Sequence, residues 1–134
     1  MSKEHIYKIK IYYEDTDVGG VVYYANYLKF TERARTEMIY DLLKISHTDL
    51  KEKFDIILVV SEFKAKYLKS AKFEQEIGVF SSIIRKSPVR LTIKQDIKFE
   101  NEILFTSEVE IAVVKKDGNI QKIPESLLSK INWN

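Results

Sequence analysis

The chain of 134 residues contains no cysteine. That removes disulfide staples, a thiolate nucleophile and any cysteine-based zinc site, and it fits a reducing compartment without demanding one. Histidine is scarce as well. With only His5 and His47, a histidine-rich metal site or a Ser-His-Asp triad has almost nothing to be built from. No apolar run is long enough to cross a bilayer, and Met1-Ser2-Lys3-Glu4-His5 has no signal-like apolar core. The expected site of action is therefore the cytoplasm. A net charge of +2 is too small to argue for nucleic acid. Lys64, Lys66, Lys69 and Lys72 cluster locally, but the first two alternate with Phe63, Ala65 and Tyr67, as on the solvated face of a strand. Linkers, low-complexity tracts and internal repeats are lacking too, so residues 1–134 are expected to form a single domain.

What is present is an ordinary globular mixture, 45% hydrophobic and 31% charged. Residues 6–13 alternate loosely, Ile9 and Ile11 against Lys8 and Lys10. Over residues 25–45 the period turns helical, with Tyr27, Thr31, Ala34, Met38, Leu42 and Ile45 on one stripe, widened by Phe30, Ile39 and Leu43. A polar segment, residues 49–55, leads to four expected strands at 56–67, 74–85, 89–99 and 103–114. The third is the clearest: Val89, Leu91, Ile93, Ile97 and Phe99 oppose Arg90, Thr92, Lys94, Asp96 and Lys98. Such alternation implies a sheet with one dry and one wetter face, and the short connections favour antiparallel hairpins. Pro124 opens a short helix expected to run to Ile131. The fold class that follows is α+β, one long helix against the dry face of an antiparallel sheet.

Between the first strand and the long helix lies Glu14-Asp15-Thr16-Asp17-Val18-Gly19-Gly20-Val21-Val22-Tyr23. Carboxylates just ahead of a helix start sit near free backbone N–H groups, an arrangement suited to polarising a carbonyl. Spacing alone fits turn and cap residues better, since Asp is favoured there for local hydrogen bonding. The stretch resembles the active-site loop of hotdog-fold acyl-CoA thioesterases of the YbgC and 4-hydroxybenzoyl-CoA thioesterase type. The match continues through Tyr27 and Thr31-Glu32-Arg33-Ala34-Arg35-Thr36-Glu37-Met38, and more weakly over nearly the whole chain. The resemblance implies a hotdog fold, with the sheet wrapped around the helix, and makes Asp17 the catalytic carboxylate. Many YbgC-type sequences carry His where this chain has Tyr24, so a role for that ring does not carry over.

A thioester carbonyl needs a positioned attacker and a stabilised oxyanion, with no metal and no cofactor expected. Asp17 can act as general base for water or attack to form an anhydride, and the sequence leaves both open. The backbone N–H groups of Tyr24 and Ala25 are the expected oxyanion donors. Asp15 is expected to hold Asp17 in place, while Gly19 and Gly20 let the loop turn and an acyl group approach. Arg85, Lys86 and Ser87 stand at a strand end where related thioesterases bind CoA phosphates; solvated charges beside a turn are the alternative. Expected partners are an acyl-CoA or acyl carrier protein substrate and further copies of the chain, as a dimer or tetramer with the site at the subunit interface. No nucleic acid and no membrane span are expected. Two other readings remain: a non-catalytic acyl-CoA-binding or scaffold module, and a dehydratase. The dehydratase would rely on a histidine in the site, where neither His5 nor His47 falls.

Overall fold

The alternating second half of the chain forms a sheet because its apolar residues can all be turned to one side. In the computed structural model, which describes residues 4–131, β1 (His5–Lys10) is followed by α1 (Asn26–Leu43), α2 (His47–Phe54), β2 (Ile57–Tyr67), β3 (Glu76–Ser87), β4 (Arg90–Phe99), β5 (Glu102–Val114) and α3 (Glu125–Leu128). The strands make one five-stranded sheet in the order β1-β3-β4-β5-β2. Every neighbouring pair is antiparallel. The dry face carries Ile77, Val79 and Ile83 of β3, Leu91, Ile93 and Ile97 of β4, and Phe105, Val109, Ile111 and Val113 of β5, all buried. Helix α1 covers it with Tyr27, Phe30, Ala34, Met38, Ile39 and Leu43. The α+β expectation is met, and the widened stripe on the helix is the buried one.

One polar residue lies in the middle of this apolar layer. Gln95 of β4, fully buried, donates through Nε2 to the Thr31 carbonyl of α1 and to Ser81 Oγ of β3, both at 3.0 Å. Its Oε1 accepts from Arg35 at 3.0 Å. Burial pulls the Arg35 guanidinium below its usual basicity, an effect that nearby Glu32 opposes. The sequence reading did not pick out Gln95, although its place in the Ile93–Ile97 alternation put it on the dry face.

Several boundaries differ from expectation: β3 runs over Glu76–Ser87 rather than 74–85, which puts Lys86 and Ser87 in the strand, and α1 ends at Leu43 rather than 45. The polar segment 49–55 lies largely in α2, which begins where Ser46 Oγ accepts from the Asp49 N–H at 3.0 Å. Only Leu50 of that helix is buried, too little for a helical period to show. Strand β1 stops at Lys10 because a 3₁₀ turn, Tyr13–Asp15, follows. Helix α3 ends at Leu128 rather than Ile131. None of the helices described is long and apolar enough to cross a membrane.

Candidate active site at the start of the long helix

The loop between β1 and α1 is shaped by its own side chains. Asp15 Oδ2 accepts from the Tyr12 N–H at 2.9 Å and Thr16 Oγ1 donates to the Tyr13 carbonyl, so the chain leaves β1 in a tight turn. It then folds into a small hairpin: Thr16 bridges Val22, and the Asp17 N–H donates to the Val21 carbonyl at 2.9 Å. Gly20, at φ +78°, supplies the left-handed step the tip needs. The hairpin is sewn to the chain ahead of β3 through Val22 N–H to the Ala71 carbonyl and a bridge from Val21 to Lys72.

Asp17 is exposed at the mouth of this hairpin. One carboxylate oxygen, Oδ1, accepts from the Gly19 N–H at 2.8 Å. The other has no partner among the described residues. Gly19 has a steric role as well, since a Cβ there would sit 3.2 Å from Asp17 Oδ1. Asp15 turns its carboxylate back into the 3₁₀ turn, and its carbonyl accepts from both the Tyr23 N–H at 3.0 Å and Asn26 Nδ2 at 2.9 Å. Asp15 is thus bonded within the loop through its backbone as well as its side chain.

Helix α1 opens with a tight first turn. Asn26, Tyr27 and Leu28 donate to the carbonyls of Tyr23, Tyr24 and Ala25. The N–H groups of Tyr24 and Ala25 find no acceptor among the described residues, as a helix start must leave some donors unused. They follow the hairpin directly, so a free carboxylate oxygen and two free amides belong to one braced loop. The Tyr67 hydroxyl donates to the Tyr24 carbonyl at 3.2 Å. Tyr24, Tyr27, Tyr67 and Leu68 line a cavity of about 210 Å³ beside this turn. Burial raises the pKa of both Tyr27 and Tyr67, with Tyr24 adding to the shift at Tyr67, so both stay protonated at neutral pH.

The basic strand end lies elsewhere. The loop meets the start of β3, where Ile11 N–H donates to the Gln75 carbonyl, whereas Arg85 stands near the other end of that strand. Gln75 and Arg85 are ten residues, about 30 Å, apart along the strand, so the loop and Arg85 lie toward opposite ends of β3. Arg85 is exposed. Lys86 Nζ donates to the carbonyls of Leu128 and Ile131 at 3.0 and 2.7 Å, which ties down the C-terminal segment. Ser87 Oγ accepts from the Val89 N–H within the β3–β4 turn. His5 is hydrogen-bonded to Asp41 at 2.7 Å, on the C-terminal part of α1, and His47 begins α2. Neither reaches the loop.

The sequence model of the thioesterase superfamily matches residues 19–106. The chain belongs to the thioesterase superfamily. The acyl-CoA thioester hydrolase YbgC of Escherichia coli O6:H1 is 32% identical over 126 residues, 91% of each chain. The acyl-CoA thioesterase YbgC of Haemophilus influenzae is 33% identical over 108 residues, 81% of this chain and 79% of that protein. Among solved structures, a probable thioesterase from Bartonella henselae superposes with a TM-score of 0.86 at 29% identity, covering 91% of this chain and all of the other. The hotdog fold is the fold observed.

The left-handed tip gives a direct test of the loop. An L side chain at Gly20 is strained by about 1–2 kcal/mol. Gly20→Ala is expected to lower unfolding free energy by about that amount in urea titration, and Gly20→Asn by less, because Asn tolerates this conformation.

Proposed function

We propose that this chain hydrolyses acyl-CoA thioesters to free acid and CoA thiol, with Asp17 as the catalytic carboxylate. The observation that carries the reading is the presence, in one braced loop, of an uncommitted Asp17 oxygen and the uncommitted amides of Tyr24 and Ala25. Those amides would donate to the developing oxyanion hydrogen bonds that strengthen as charge grows. In other enzymes one such donor is worth about 2.7–4 kcal/mol of barrier. Asp17 would either take a proton from the attacking water or itself add to the carbonyl carbon. In the first route the tetrahedral intermediate collapses by C–S cleavage and the thiolate leaves, taking up a proton. In the second the thiolate leaves a mixed anhydride, which water opens to restore the carboxylate. CoA rather than an acyl carrier protein is supported by the names of the YbgC relatives. The cytoplasm, where acyl-CoA is made and used, is the proposed place of action.

The working form we propose is at least a dimer, either alone or as a tetramer of two such dimers. Strand β2 supports this: it is 11 residues long, lies at the sheet edge and exposes Val59 and Val60. An unpaired edge of this length invites another chain, and the exposed Val59 and Val60 stand beside the charged Glu62, Lys64 and Lys66. The six-residue β1 edge, with Lys8 and Lys10, is the protected one. Around the loop, Tyr13, Val18 and Tyr24 are also strongly exposed. In a dimer Arg85 of one copy would serve Asp17 of the other by meeting the CoA phosphates. Lys86 and Ser87, already engaged in their own chain, would add to the local charge and shape.

Asp17→Asn keeps the size of the side chain but is neither base nor good nucleophile. Free-thiol release from a panel of short, long and aryl acyl-CoAs is expected to fall at least 100-fold in kcat, with an unchanged thermal midpoint. A folded variant with near wild-type turnover contradicts the role, and a wild type that binds acyl-CoA without releasing thiol is a binding module. Arg85→Ala is expected to raise KM several-fold at low salt and less at high salt, where exposed charges are screened. Mixing Asp17→Asn with Arg85→Ala subunits should restore sites of wild-type KM. Exchange that yields none would confine each site to one chain.

A further inference from the structure

Asn26 is the first residue of α1, yet its side chain does not cap the helix. Asparagine is favoured one position earlier, where its oxygen can accept a free N–H of the first turn. Here the position before it is Ala25, which offers no side-chain cap, and Asn26 turns the other way. It is 9% exposed, and its Nδ2 donates to the Asp15 carbonyl at 2.9 Å across the loop. A buried carboxamide is retained only where it is hydrogen-bonded, so this bond is a constraint rather than a passing contact. The same carbonyl accepts the Tyr23 N–H, and the Asn26 N–H returns to the Tyr23 carbonyl. The three bonds close a small ring through Asp15, Tyr23 and Asn26. On one side of the ring the chain reaches Asp17 in two residues. On the other, the backbone from Tyr23 to Asn26 contains the free amides of Tyr24 and Ala25.

We infer that Asn26 is a positioning residue for thioester hydrolysis: it sets the separation between the Asp17 carboxylate and the Tyr24 and Ala25 amides. The inference rests on the role proposed for Asp17. Asn26 touches no reacting atom. It acts by tying the Asp15 carbonyl, and with it the arm that carries Asp17, to the first turn of the helix. Attack on a carbonyl held by two amides tolerates little error in that separation, and a misplacement of about 1 Å can cost about 100-fold in rate.

Asn26→Asp keeps the shape and loses the donor, and Asn26→Ala removes the brace. Both are expected to lower kcat for acyl-CoA by about 10- to 100-fold, with KM within about two-fold, because the cavity and the CoA contacts are untouched. A purely structural role would lower the thermal midpoint and the folded fraction but leave kcat per folded enzyme unchanged. A second readout is coupling. In the Asp17→Asn background, Asn26→Ala is expected to cost less than about three-fold more, since there is no longer a carboxylate to place. Folded Asn26 variants with wild-type kcat, or losses fully additive with Asp17→Asn, overturn the inference. So does the unfolding of both variants, which would make Asn26 a stability residue. A wild-type chain without hydrolytic activity overturns the functional reading and this inference together; an active wild type indifferent to Asn26 overturns this inference alone.

Discussion

Gln95 fixes where the long helix lies on the sheet, and the candidate site inherits its position from that. Its stabilising energy is modest, since a net hydrogen bond contributes about 0.5–1.5 kcal/mol, against about 1.5–3 kcal/mol for burying a large apolar side chain such as Phe30 or Ile39. Apolar burial therefore holds α1 down. Its close packing also resists sliding, and an unpaired buried amide would add a directional penalty of about 1–3 kcal/mol to any shift of register. The Gln95 carboxamide can be satisfied only when the Thr31 carbonyl and Ser81 Oγ stand where they do. With Thr31 set, the first turn of α1 lies within two turns of that point, and the amides of Tyr24 and Ala25 are set with it.

The loop ahead of the helix is held by polar bonds instead. Asp15, Thr16, Gly20 and Asn26 each close a local turn or cross-link, while the Asp17 carboxylate, exposed beyond them, bonds only to the Gly19 N–H among the described residues. That division separates support from chemistry. Residues that shape the loop spend their hydrogen-bonding capacity inside it. The residue proposed to meet substrate spends only one acceptor, on the Gly19 N–H, which aims the carboxylate without neutralising it. The proposed association of two chains would cover the exposed aromatic residues around it and the exposed Val59 and Val60 of the β2 edge.

Much of this was legible in the residues. The helical stripe from Tyr27 to Leu43 and the alternation in β4 are strong periodic signals, because each element has one clearly apolar face. The Asp15-Thr16-Asp17 step and the glycine pair mark the loop, and the resemblance to hotdog thioesterases is what singles out Asp17. Other features were hidden for physical reasons. Helix α2 buries only Leu50, so its composition reads as loop, although Ser46 followed by Asp49 is a start signal. Gln95 breaks the apolar pattern at the one position where a polar side chain is matched by three partners from α1 and β3. The commitment of Lys86 to the C-terminal carbonyls depends on a contact more than 40 residues away, which no local pattern encodes. The distance between Arg85 and Asp17 emerges only from the strand order.

The central claim is geometric: the thioester carbonyl lies between Asp17 and the first amides of α1. The most direct measurement is a crystal structure of Asp17→Asn with an unhydrolysed acyl-CoA bound. The account predicts the thioester oxygen at about 3 Å from the Tyr24 or Ala25 nitrogen, with the side chain of residue 17 facing the carbonyl carbon. A thioester bound away from both amides, or on the side of the helix start remote from residue 17, would contradict it.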